Sequence, residues 1–167
     1  MNRLVLDVVD DGPPPSVLGL STSLSDISLV FALNAGLSWQ LVRHEDWRCV
    51  QKPLYSTHAL YRGVCAGQDI SLLWNLPEST DWIQAPAATS ADLFSEEVAA
   101  APKRVLVQKP KNLHALLIVE PELSPQEMVI LQRRIASIPG VVGQNILPWS
   151  TLRERENFLF EPLNTEV

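Results

Sequence analysis

Charge is scarce in this sequence, and basic charge scarcer still: 19% of the 167 residues are charged, and 13 cations face 19 anions for a net of −6. Binding a nucleic acid backbone or an anionic membrane takes a field of the opposite sign, so the composition disfavours both as partners. Cysteine is nearly absent. Cys49 and Cys65 are the only two and form no CxxC pair, so neither a disulfide framework nor a zinc knuckle is expected, only two reduced thiols. Long apolar runs are missing as well. The chain reaches Asp7 before it could supply a signal peptide's stretch of roughly 7–15 apolar residues, and no segment approaches the ~20 apolar residues of a spanning helix. A soluble, cytoplasmic protein is the expectation. The seven glycines include no GxGxxG and no GxxxxGK[ST], and neither HExxH nor GxSxG occurs. No phosphate cradle, zinc-protease helix or nucleophile elbow is therefore legible. No catalytic centre, cofactor or metal site is expected.

What the chain has is apolar material: 46% of its residues, enough to offset the ordering entropy of one core. We read residues 1–167 as a single domain with an embellishment at about 77–104, where the composition shifts to Ala, Pro and Ser. Arg3 to Val9 alternates like a strand and stops at Gly12-Pro13-Pro14-Pro15. Val17 to Leu20 is too short to assign. Ser23-Leu24-Ser25-Asp26 has the form of a capping box, followed by Ile27, Val30, Phe31 and Asn34 at helical spacing and by Gly36 at a C′ position. Trp39 to Val42 opens a strand, and Leu54 to Asn75 reads as two strands turning at Cys65-Ala66-Gly67-Gln68-Asp69. A short helix is conceivable at Ala91 to Ala100.

The clearest pattern comes later. Val105-Leu106-Val107 and Leu113 to Val119 predict a hairpin across Lys109-Pro110-Lys111-Asn112. Ser124-Pro125-Gln126-Glu127 then combines an N-cap hydroxyl, a proline at N1 and a glutamate at N3, and Met128, Leu131, Ile135 and Ile138 follow at helical spacing. Pro139-Gly140 ends this helix and Val141 to Leu147 returns as a strand, a C-terminal βαβ unit. Split units of this kind leave room for another strand. The expected fold is therefore α+β, a mixed or mainly antiparallel sheet with two principal helices on one face. Arg153 to Glu156 reads as a solvated helical turn, and Asn157 to Phe160 as an apolar tail.

Gly19-Leu20-Ser21-Thr22, Leu33-Asn34, Val42-Arg43, Leu73-Trp74-Asn75, Ile138-Pro139-Gly140-Val141 and Arg155-Glu156-Asn157-Phe158-Leu159-Phe160 together resemble the bacterial IPExxxVDY family, from Leu4 to Phe160 in the same order. That resemblance implies a short single-domain protein and brings no assigned activity. At the place of the naming motif stand Val107 to Ala115, with Lys109, His114 and Ala115 where the family has a carboxylate, an aspartate and a tyrosine.

Candidate sites are few. His44 and Asp46 share a face of any strand through His44-Glu45-Asp46, a constellation equally suited to a polar strand end. His58 could serve as base to a Cys65 nucleophile, although no helix start lies nearby to lower the thiol pKa. Lys103, Arg104, Lys109 and Lys111 make one basic cluster, suited to an anion or simply to solvent. Of five tryptophans, Trp39 and Trp74 fit core strands, while Trp47, Trp82 and Trp149 lie near loops and are the candidates for an interaction surface. Three functions compete. First is a non-enzymatic protein-interaction domain, as a homodimer or with another protein. Second is a small-ligand module, because strand, capped helix, Pro-Gly and strand is how ACT-like domains are arranged, although Glu120-Pro121-Glu122-Leu123 lacks their usual glycine. Third is a thiol enzyme using Cys65 and His58.

Overall fold

The computed structural model describes residues 13–83 and 100–155. In chain order these form β1 (Ser16–Thr22), α1 (Asp26–Leu37), β2 (Val42–Arg43), β3 (Trp47–Gln51), β4 (Leu54–His58), β5 (Leu60–Cys65), β6 (Gln68–Trp74), β7 (Ser79–Trp82), β8 (Ala115–Glu120), α2 (Pro125–Ala136) and β9 (Val141–Ile146). A single 3-10 turn follows at Trp149–Thr151. The strand expected at Arg3 to Val9, the helix at Ala91 to Ala100 and the tail from Asn157 lie outside the described residues, save Ala100, which belongs to no helix or strand.

The fold is α+β with mainly antiparallel sheet. A six-stranded sheet has the order β2-β5-β6-β8-β1-β9, and a three-stranded sheet the order β3-β4-β7. Because β8 and β9 are each antiparallel to β1, they run parallel to one another with β1 in the slot between them. The same reasoning makes β1 and β6 parallel across β8. The expected split βαβ unit is thus present and interlocks with a second, β1-α1-β6, in the ferredoxin-like manner.

Alternation along the strands sorts the core into two halves. Leu18, Leu20, Ile70, Leu72, Leu117 and Val119 point to one face of the large sheet, where α1 and α2 cover them with Leu29, Leu33, Leu37, Met128 and Ile135. Val17, Leu60, Leu73, Leu116 and Ile118 point to the other, meeting Cys49 of the small sheet and Leu106, Val107, Leu147 and Leu152. β8 is buried on both faces, which is why it reads as an unbroken apolar run although its neighbours are antiparallel.

Several expectations are corrected. The segment read as the first arm of a hairpin, Val105 to Val107, is not a strand. Leu106 and Val107 are buried beneath the rear face, held by Asn75, whose amide donates to the carbonyls of Val107 (3.0 Å) and Leu113 (2.9 Å) and accepts from the Val107 N–H (2.8 Å). The stretch from Leu54 to Asn75 makes three strands, because the chain leaves the small sheet after His58 and joins the large one at Leu60. Val17 to Leu20, unassigned from the sequence, lies within β1 between β8 and β9. Ser79–Trp82, at the start of the presumed embellishment, is the edge strand β7.

Helix α1 begins two residues later than its first serine suggests. Ser25 is the N-cap, accepting from the Ser28 N–H, because the Ser23 N–H is already bonded to the carbonyl of Gly140, as is the Thr22 hydroxyl. The helix also runs past Gly36 to a left-handed C-cap at Ser38. A Cβ at Gly36 would stand 3.1 Å from Ile138, so this glycine admits the chain leaving α2 instead of ending the helix. The buried stripe is Leu29, Val30, Leu33 and Leu37, while Ile27 and Phe31 are 70% and 78% exposed. A helix with one charged residue, Asp26, offers several candidate stripes and no polar face to choose among them.

Candidate functional site

The three tryptophans singled out from the sequence are all half-buried. Trp47 on β3 stands opposite His58, and Trp82 on β7 stands opposite Leu54, so both share the inward face of the small sheet from its two edges. Trp47 and Trp149 pack against the rear cluster, and Trp39 and Trp74 against the helix-side one.

His58 and Cys65 are kept apart. His58 is fully buried, with Nε2 2.8 Å from the Ser56 hydroxyl and Nδ1 2.9 Å from the Trp74 carbonyl oxygen, and burial lowers its pKa. Seven residues of extended chain, on the order of 20 Å, separate it from Cys65 at the far end of β5, so the thiol has no base in His58. Cys49 is buried, and burial pushes its thiol up. His44, Glu45 and Asp46 are all exposed. Lys103, Lys109 and Lys111 are exposed along the 100–114 loop and Arg104 is half-buried.

One polar cluster joins distant elements. Arg43 lies over the Tyr61 ring (5.2 Å), meets Asp26 (3.8 Å) and Glu78 (3.1 Å), and pairs with Asp46. The Tyr61 hydroxyl donates to Asp26 at 2.9 Å. Burial and that carboxylate push the Tyr61 pKa up to about 12. The cluster ties the start of α1 to β2, β5 and the loop before β7, and its single guanidinium is already shared among three carboxylates.

Two further surfaces stand out among the described residues, beside a more polar pocket of about 450 Å³ between Lys109 and Leu152. The first is a groove of about 220 Å³ between α2 and the β5–β6 hairpin, lined by Trp39, Cys65, Ile70, Leu123, Ile130 and Leu131, with Glu127 and Arg134 along its helical wall. The second is the edge of the large sheet at β9, where Val142 and Ile146 are 72% and 51% exposed. Neither was read from the sequence, yet both left signals there. Val129 and Ile130 are apolar but lie off the stripe formed by Met128, Leu131 and Ile135, and β9 is Val-Val-Gly-Gln-Asn-Ile, without charge or proline. Among the described residues no group of three or more His, Cys, Asp or Glu side chains could hold a metal ion, and no helix is long and apolar enough to cross a membrane. No family model, curated protein or solved structure matches the chain.

Proposed function

We propose that this chain is a non-enzymatic protein-interaction domain of the cytoplasm, working as a homodimer. The observation that carries the reading is the apolar, charge-free edge at β9, with Val142 and Ile146 exposed beside backbone that no other described strand pairs. Natural sheets blunt such edges with lysine, proline or a covering element. β9 has neither lysine nor proline, and the bulge at Val142 is the one such device it carries, which suits an edge that is covered by another protein chain. The net charge of −6 and two free thiols agree with a partner other than nucleic acid and with a reducing compartment. The segments that resemble the IPExxxVDY family include the structural residues Thr22, Asn34, Asn75 and Gly140, so membership would extend to the fold without adding an activity. Size-exclusion chromatography with light scattering tests the reading: a mass above the 18.6 kDa of one chain supports it, and a strict monomer refutes the homodimer.

A second reading, a small-ligand module in the ACT-like manner, draws on the α2 groove. An apolar floor flanked by Glu127 and Arg134 suits a small amphipathic molecule bearing both charges. A thermal-shift screen with amino acids and nucleotides separates the two, since a ligand at a hundred times its dissociation constant adds about 2.7 kcal/mol. A clear shift together with a monomeric mass would favour the ligand module.

A further inference from the structure

We infer that the partner at the β9 edge is a second copy of this chain, paired antiparallel about a two-fold axis through Gln144. This rests on the protein-interaction reading above and specifies its geometry. The backbone directions follow from the pairing with β1. Leu18 stands opposite Ile146, and the Leu147 N–H reaches the Val17 carbonyl at 2.9 Å, so Ile146 belongs to a pair that exchanges no hydrogen bond with β1. The N–H and C=O of Ile146, and by alternation those of Gln144, therefore point outward along the sheet plane. These are the groups a further strand would bond.

The side chains then choose the register. Placing Gln144 opposite Gln144 of the second copy sets Ile146 opposite Val142, the residue at which β9 bulges against β1. Each exposed apolar side chain thereby meets the other kind across the strand, where aliphatic pairs are favourable. A shift by one residue would face Val142 with Asn145 or with the buried Leu147 instead. The arrangement is isologous, as closed two-fold symmetry requires. It extends one six-stranded sheet into a continuous one of 6 + 6 = 12 strands.

Helix α2 completes the surface. The Gln144 side chain donates to the Gln132 carbonyl at 2.9 Å, which fixes α2 above β9. Val129, Gln132 and Ala136 share the side of the helix nearest that edge, by their i, i+3, i+7 spacing, and Val129 and Ala136 are exposed. The two-fold axis sets the two α2 helices antiparallel. The helix dipoles then oppose, and Arg133 is the charged residue of α2 nearest that side, since Glu127 and Arg134 face the groove. The footprint is about 20 Å along the strand and small beside a standard interface of about 800 Å² per partner, so a micromolar dimer is expected.

Three variants test this. Gln144→Cys in a Cys65→Ser background should form a symmetric intermolecular disulfide on mild oxidation, because hydrogen-bonded strand pairs hold their Cα atoms about 5.5 Å apart, within disulfide reach. Ile146→Lys should weaken dimerisation about tenfold or more, measured by sedimentation equilibrium from about 1 to 100 µM. Adding Val142→Glu should restore it, since the register pairs those two positions. A dimer that neither cross-links at Gln144→Cys nor responds to Ile146→Lys would overturn the β9 interface while leaving the interaction reading standing. A monomer at every concentration would overturn both the interface and the homodimer.

Discussion

Replacing Asn75 with alanine should destabilise the protein far more than the loss of one polar side chain suggests. Asn75 is 1% exposed, and its amide satisfies the N–H and C=O of Val107 and the C=O of Leu113. Alanine leaves those three backbone groups without a side-chain partner. A buried unsatisfied group costs about 1–3 kcal/mol, with the Val107 N–H near the upper end because it has one bond to make while each carbonyl retains a second lone pair. We expect a loss of about 3–5 kcal/mol in total, which at a urea slope near 2 kcal/mol/M lowers the unfolding midpoint by roughly 1.5–2.5 M. Asn75→Asp is the control: at neutral pH it presents a carboxylate to two carbonyl oxygens and should be no better than alanine. Equilibrium urea unfolding followed by tryptophan fluorescence makes the measurement. A loss below about 1 kcal/mol in Asn75→Ala would refute the view that this side chain holds the 106–113 segment to the rear face.

Three further outcomes follow from the packing. Phe31→Ala should change stability by no more than about 0.5 kcal/mol, whereas Leu33→Ala should cost about 2–5 kcal/mol, and similar effects at both positions would contradict the orientation of α1. Gly63→Ala should destabilise by about 1–3 kcal/mol, because its Cβ would lie 2.7 Å from the Gln40 carbonyl oxygen; an unchanged thermal midpoint would show that the contact relaxes freely. His58 has a folded pKa below its ordinary 6.5, so the unfolded chain binds the proton first. Stability should be complete above that value and fall as the pH drops below 6.5, and the pH dependence of the urea midpoint should flatten in His58→Gln. An identical pH dependence in both proteins would exclude His58 as its source.

The α2 region was legible in advance because its signals are local. An N-cap serine, a proline at N1 and a glutamate at N3 lie within four residues, and the Glu127 side chain does return to the Ser124 N–H at 2.8 Å. The turn of the β5–β6 hairpin was equally local, since Ala66 and Gly67 take the positive φ that such a bend demands. The α+β class followed from the same short-range periodicities.

The rest depended on contacts far apart in the chain. Which side of α1 is buried was decided by the sheet beneath it, because nearly every position on that helix is apolar or small. Whether Leu106 and Val107 formed a strand was decided by Asn75, over thirty residues earlier, whose amide supplied the bonds a ladder would have made. The groove needed α2, the loop after α1 and the β5–β6 hairpin in one place, so no spacing within a single segment could announce it. Composition alone determined that this chain has ample apolar material to bury and a net negative charge, since those depend only on residue numbers. The tertiary structure decided that β9 lies at the rim of the described sheet, because strand order is set by which strands find one another across the fold, and that position leaves the uncharged Val142 and Ile146 exposed.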